Sequence, residues 1–245
     1  TGTLLAEHPD VLYLNEPRHI WRASDPRTDI WHPNVRSRAA QMAMDESDFD
    51  PTLARRCRRA FYARQLVSRR ATLIEKLPVN NFRIGYMRLS FPKARYVHIV
   101  RHGLEVAHSM ARIPNWFDAN EGFRWESLVT MAQASGIDSE FLAACHHPIE
   151  RGLIEWTLSV ETALEDLSGL DQNDVFTMRY EDLISNPLAS LQQLHSHLRL
   201  SPDPNSVARA GMRVKRVHPD ASDLKLPATV HERTTQLLTR LGYKA

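Results

Sequence analysis

Lysine is scarce in this chain and cysteine scarcer. Of its 31 basic residues only five are Lys (76, 93, 215, 225 and 244), leaving 26 Arg. That bias favours planar, two-donor recognition of anions over point-charge contacts. Two cysteines, Cys57 and Cys145, close at most one disulfide and cannot by themselves form a four-ligand zinc centre. A metal-free protein of a reducing compartment, the cytoplasm, is the expectation. No apolar run reaches about 18 residues, the length a membrane-spanning helix needs, and no secretory leader pattern is visible at the start. Because the chain opens on Thr1 rather than Met, an upstream piece is expected to be missing. Acidic and basic residues nearly cancel, to a formal net charge of +2 and a pI near 8.6, too mild a balance to argue for nucleic acid as a partner.

What is present suits a globular enzyme. The chain has 245 residues, 42% hydrophobic and 24% charged, enough to bury a core without staples. One domain over residues 1–245 is expected. Short apolar runs at 72–74, 95–100 and 175–180 read as strands. Amphipathic stretches starting at Pro51 and at 80–89, 104–111, 150–167, 187–198 and 230–241 read as helices, with Asp50-Pro51 a good start signal for the first. Strands alternating with helices point to an α/β fold with a central, mainly parallel sheet, whose ligands gather beyond the strands' carboxyl ends. Segments 22–50, 112–148 and 201–229 have weaker periodicity and read as loops or lids. Their Trp21, Trp31, Trp116 and Trp125 suit either acceptor-pocket walls or ordinary packing. The arginines between Arg55 and Arg70 plot mainly on the outer face of a helix whose Leu53, Cys57 and Phe61 face inward, which reads as a solvated face.

The junction Val97-His98-Ile99-Val100-Arg101-His102-Gly103, with Ser109 eight positions after Arg101, carries the most chemistry. An arginine at a strand's carboxyl end and a serine in the following helix can hold one phosphate together. This segment resembles the 3′-phosphate-binding turn of sulfotransferases that use 3′-phosphoadenosine 5′-phosphosulfate (PAPS), with His102 where Asp or Asn is usual. Further elements follow in the family's order: His8-Pro9-Asp10-Val11, Asn15-Glu16-Pro17, Glu75-Lys76-Leu77-Pro78-Val79-Asn80, Phe91-Pro92-Lys93-Ala94-Arg95 and Tyr180-Glu181-Asp182-Leu183 before Pro187. Together they cover about residues 1–200 and lie nearer the tyrosylprotein branch of bacterial-type enzymes than the cytosolic aryl branch.

The resemblance implies a P-loop-like sulfotransferase fold and transfer of a sulfuryl group from PAPS to a hydroxyl or amine of a small-molecule, carbohydrate or peptide acceptor, with no metal. Lys76 would neutralise the leaving side. Pro78 stands where the aryl branch has its histidine base, so Glu16 is the expected general base, with His19 behind it. Arg101, Ser109 and Tyr180 would bind the nucleotide. Gly2 and Thr3 look like the tail of the family's phosphate loop, whose strand and first residues are absent. Only four residues separate Thr3 from His8, fewer than the family's helix needs. Either a stretch is missing near Thr3–Leu4 or the opening residues do not match the loop. Lys215 and Arg216, with Arg213 and Lys225, suit a basic flap over the nucleotide or a solvated loop. Two rivals remain: a small-molecule kinase, which needs a G-K-[ST] loop and a magnesium-binding Asp that are not recognisable here, and a non-catalytic binder of nucleotide or polyanion that keeps the fold.

Overall fold

The computed structural model describes residues 1–36, 38–120, 122–213 and 228–243, the side chains of 228–231 excepted. Helix α1 (Gly2–Leu5) leads into strand β1 (Val11–Asn15), α2 (Arg18–Ser24) and α3 (Pro51–Ser68). Strand β2 (Thr72–Lys76), α4 (Ile84–Ser90), β3 (Tyr96–Val100) and α5 (Gly103–Ala111) follow. Next come α6 (Phe123–Ala134), α7 (Ser139–Ala144), the long α8 (Pro148–Ser168) and β4 (Val175–Arg179). Helices α9 (Tyr180–Ser185), α10 (Pro187–His197), α11 (Pro204–Met212) and α12 (Ala228–Arg240) complete the order.

The four strands form two parallel pairs, β1 with β2 and β3 with β4. The sequence suggests one central sheet; among the described residues the strands divide two and two. Parallel neighbours need crossover connections, supplied here by α2 and α3 for one pair and by α5 to α8 for the other. A single apolar cluster serves both pairs. Leu4 and Leu5 of α1, Met178 of β4, and Leu191 and Leu194 of α10 are buried in it, with Ile74, Val97, Ile99 and Phe176 packed alongside.

Helix α8 is the central support because it is apolar over most of its surface: Leu153, Ile154, Trp156, Leu158, Val160 and Ala163 are all buried. Two glycines permit its close approach to α5. A Cβ on Gly152 would stand 2.9 Å from the Ala107 Cα, and one on Gly103 would stand 2.7 Å from the Trp156 ring. The Asp50 carboxylate accepts from the Thr52 and Leu53 N–H groups at the start of α3, and Pro51 occupies a first-turn position where its missing donor costs nothing. Cys57 and Phe61 of that helix are buried as the sequence pattern requires, with Ala54 beside them, while Leu53 is half-buried.

Three sequence expectations need correction. The stretch 80–89 is not one helix. It is a short 3-10 turn, Pro78–Phe82, followed by α4, because the Asn80 amide donates to Glu75 at 2.7 Å instead of capping. Segments 112–148 and 201–229, read as loops, contain α6, α7 and α11. Asp138 caps α7 and Asp203 caps α11; α7 buries Leu142 alone, and the buried stripes of α6 and α11 include the polar Arg124 and Ser206, which blurs their apolar period. The tryptophans are mainly structural: Trp21 is buried, and Trp31, Trp116 and Trp125 pack against the same cluster.

Inside that cluster lies a charged pair. Arg124 and Glu155 are both buried and paired. Glu155 also accepts from the Trp116 indole at 2.9 Å, while the Arg124 guanidinium sits 4.1 Å from the Trp116 ring centroid. Glu155→Ala leaves a buried guanidinium without its counter-charge and is expected to lower unfolding stability by about 3–5 kcal/mol, measured by urea denaturation. A loss below about 1 kcal/mol would mean that the pair behaves as a solvated one.

Candidate active site

The carboxyl ends of β1 and β2 place a carboxylate against an ammonium. In the parallel register Asn15 lies opposite Lys76, and the Glu16 N–H donates to the Lys76 carbonyl at 2.8 Å. Glu16 adopts φ 47°, a left-handed turn that ends the strand and is strained for a side-chain-bearing residue. Its carboxylate then accepts from Lys76 Nζ at 3.1 Å and from Arg18 at 2.7 Å. Partial burial pushes the Glu16 carboxyl up, but the hydrogen bonds and charges of Lys76 and Arg18 outweigh it and hold the group below its ordinary value. The Arg18 guanidinium also lies 4.0 Å from the Trp31 ring centroid. Glu16 and Lys76, expected from the sequence, are thus joined by Arg18. Arg22 instead faces Asp29 at 3.9 Å.

Beneath this group sits Glu75. The residue is half-buried, with its carboxyl enclosed, and accepts from the Trp21 indole at 2.8 Å and from Asn80 at 2.7 Å. Burial pushes this carboxyl up to about 7, against the opposing effect of those two donors. Sequence reading gave Glu75 no role, although a carboxylate inside an apolar strand is itself a signal.

At the end of β3, Arg101 lies beside the end of β4. Its Nε donates to Glu105 at 2.7 Å, and its guanidinium lies 4.9 Å from the Tyr180 ring centroid. The Arg101 carbonyl accepts from the Trp156 indole at 3.0 Å, which fixes the turn into α5. The remaining nitrogens of the guanidinium form no hydrogen bond among the described residues, so the group keeps donors for an anion. Ser109 is exposed and lies one helical turn beyond Glu105, on the same face of α5. Behind Arg101, Glu181 accepts from the His102 N–H at 3.1 Å and from the Tyr243 hydroxyl at 2.6 Å, tying the end of the chain to this turn.

The other expected residues divide by position. Gly2 and Thr3 lie in α1, which packs on β1 and β2; a Cβ on Gly2 would stand 2.2 Å from the Tyr13 ring, so only glycine fits that contact. Lys215 and Arg216 lie outside the described residues, as does Lys225. Arg213 pairs with Glu7, which makes it part of the α1 surroundings rather than a free flap residue. His19 is exposed on α2. Cys57 and Cys145 are free and buried, and no cluster of three metal-ligating side chains occurs among the described residues.

Comparison with known proteins gives this arrangement its class. The sequence model of the Sulfotransferase family matches residues 2–204, most of the chain, and the protein belongs to that family. The omega-hydroxy-beta-dihydromenaquinone-9 sulfotransferases of Mycobacterium bovis and Mycobacterium tuberculosis are each 29% identical to it over 132 residues, which is 54% of this chain and 30% of theirs. The match thus spans under a third of the length of those relatives. Among solved structures, a sulfotransferase domain from the curacin biosynthetic pathway is similar in fold, with a TM-score of 0.55 at 17% identity over 99% of this chain and 92% of that one.

The raised Glu75 carboxyl makes a sign-specific prediction. Its folded-state value, about 7 against an ordinary 4.5, means that the folded chain holds a proton the unfolded chain has lost. This contribution to stability is present below pH 4.5 and falls as pH rises toward 7. Glu75→Gln should remove roughly 1–3 kcal/mol of that fall, seen as a flatter dependence of the urea midpoint on pH. An unchanged slope would show that the carboxyl titrates normally.

Proposed function

We propose that the protein transfers a sulfuryl group from PAPS to a hydroxyl or amine acceptor, with Glu16 as general base and Lys76 at the leaving oxygen. The observation that carries this reading is that Glu16, Lys76, Arg101 and Tyr180 each stand at or just beyond the carboxyl end of a different strand of the two parallel pairs, the end where α/β sheets bind ligands. The donor set fits a polyanion: an ammonium and a guanidinium at one pair of strands, and a guanidinium with spare donors beside a tyrosine ring at the other. When bound, PAPS supplies an activated sulfur–oxygen bond whose cleavage places negative charge on the 5′-phosphate side.

Lys76 stabilises that charge, as cationic groups do in phosphoryl transfer. Glu16 receives the proton that leaves the acceptor oxygen or nitrogen as its new bond to sulfur forms. The two roles are coupled. An anion that draws Lys76 away from Glu16 removes the contact that lowers the proton affinity of Glu16, so the base strengthens when the donor is in place. Arg101 and Ser109 hold the 3′-phosphate, with Tyr180 backing the guanidinium and Glu105 orienting it. Gly2 and Thr3 contribute to the 5′ side, and Lys215 and Arg216 cover the nucleotide. The cations supply the charge that the reaction needs, and no metal takes part. The enzyme is a single domain of the cytoplasm, to which its free buried cysteines are suited, and its acceptor is a small molecule, carbohydrate or peptide.

Two measurements test this assignment. Arg101→Ala should weaken binding of adenosine 3′,5′-bisphosphate by about 2–4 kcal/mol in calorimetry, whereas Glu16→Gln should bind it normally and lose roughly 10²–10⁴-fold in turnover of labelled sulfate. Unchanged bisphosphate affinity in the first variant overturns the phosphate site, and full turnover in the second overturns the base. The acid side of the pH–rate profile gives a third test. In the donor-free enzyme, whose ionisations kcat/KM reports, Lys76 and Arg18 hold the Glu16 carboxyl below its ordinary value, so kcat/KM should persist into pH below the usual carboxylate range. Lys76→Met should move this acid limb upward by about 1 unit besides lowering the rate; a stationary limb would separate Lys76 from the base.

A further inference from the structure

Helix α3 presents a surface that the active site does not use. Its buried stripe, Ala54, Cys57 and Phe61, is anchored by edge-to-face contacts of Phe61 with Trp21 and Phe91. The opposite stripe, Arg55, Arg59, Tyr62 and Leu66, follows the i, i+4, i+7, i+11 spacing of a single helix face and is exposed along its whole length. Leu66 and Val67 are 80% and 84% exposed and Tyr62 is 54% exposed, so three large apolar side chains stand in solvent within six residues. Arginines surround them, and among the described residues Arg55, Arg59, Arg64, Arg69 and Arg70 form no ion pair. Most other described arginines engage a carboxylate or a backbone carbonyl; those without such a partner among the described residues are concentrated on and just after α3, with Arg56 on the same helix and Arg38, Arg199 and Arg240 elsewhere. At the end of the helix, Tyr62, Gln65, Leu66, Arg69 and Arg70 line a shallow open hollow of about 450 Å³.

We propose that this face docks on an anionic lipid bilayer, with Tyr62, Leu66 and Val67 entering the interface and the arginines on lipid phosphates. The combination selects the occupant. A polynucleotide would satisfy the arginines and leave Leu66 and Val67 in water. A stable protein interface needs about 800 Å² from each side, far more than three side chains at one helix end provide. A bilayer accepts a small apolar tip into its interface and attracts each nearby arginine through its anionic headgroups. Arg55 lies about 16 Å along the axis from Leu66, so the helix meets the surface inclined, carboxyl end down. No described helix is long and apolar enough to cross a membrane, so the mode is surface attachment. This inference does not rest on sulfuryl transfer.

Co-sedimentation of the full chain with vesicles tests it. The protein should pellet with phosphatidylcholine–phosphatidylglycerol vesicles and not with phosphatidylcholine alone, and raised salt should release it. Leu66→Gln with Val67→Gln, and separately Arg69→Gln with Arg70→Gln, should each weaken binding roughly tenfold. All four positions are exposed, and circular dichroism will confirm an intact fold. Failure of the wild-type chain to bind anionic vesicles at low salt overturns the proposal. So does binding that ignores both double variants. Binding that depends on the arginines but not on Leu66 and Val67, and that a polynucleotide reproduces, would identify a polyanion surface instead.

Discussion

Backbone pairing at the carboxyl ends of β1 and β2 sets the geometry on which the proposed chemistry depends. The Glu16 N–H reaches the Lys76 carbonyl at 2.8 Å, and once the two main chains are joined there the side chains have little choice but to meet. The left-handed turn at Glu16 then carries the chain away into α2, bringing Arg18 back onto the same carboxylate. A one-residue slip of β1 on β2 would send the pair to opposite faces of the sheet. That register is held by burial as well as by hydrogen bonds: Val11 is buried at one end of the pairing and the Glu75 carboxyl is enclosed near the other. The packing of Trp21 against Phe61 and Phe91, with its indole on Glu75, makes the site's floor continuous with the main core.

Both ends of the site share one electrostatic design. Each cation that could receive an anion already faces a carboxylate: Lys76 and Arg18 face Glu16, and Arg101 faces Glu105. The pairing limits repulsion among the cations before an anion arrives and fits a chain whose charges nearly cancel. At Lys76 it makes anion binding an exchange of partners, whereas Arg101 offers its spare donors while Glu105 keeps its Nε. The two ends differ in the cation used. At Arg101 a rigid fork, backed by Tyr180, suits a phosphate that must stay put. At Lys76 a compact ammonium on a flexible stem suits a charge that must follow a departing oxygen.

Much of this was legible in the sequence, for identifiable reasons. Strands β3 and β4 announce themselves because their short runs are mostly apolar, interrupted only by His98 and Thr177 before the closing Arg179, and α8 because its stripe from Leu153 to Leu167 repeats for about four turns. Arg101, Glu16 and Lys76 stood out through ordered motifs, each at a strand end. What escaped did so for different reasons. Glu75 acts through partners distant in sequence and Arg18 through a turn whose left-handed conformation no pattern declares, whereas Glu105 lies one helical turn from Arg101 and its pairing could have been read from that spacing. Helices α6 and α11 mix polar residues into their buried stripes, Arg124 with Leu128 and Ala132 and Ser206 with Val207 and Ala210, and α7 buries Leu142 alone. Strand β1 lay hidden in a motif read for its chemistry rather than its shape.

The arginine excess, which first suggested anion binding in general, includes three physically distinct uses besides ion pairs such as Arg88 with Glu46 and Arg233 with Glu161. Some arginines are buried brackets: Arg83 donates to the backbone carbonyls of Met42, Thr28 and Gln41 and fixes the loop below α2. Burial pushes that guanidinium down to about 10, still protonated at neutral pH. Others, Arg18 and Arg101, sit at strand ends with a carboxylate on one side and an aromatic ring on the other. The third group covers α3 with no counter-charge. Counting arginines could not separate these uses, because the separation depends on whether a carboxylate, a carbonyl or only water lies within reach. The helical spacing of Arg55 and Arg59 already implied an outward face. Leu66 and Val67 on the same exposed surface are what turn a merely solvated face into one with an unmet partner.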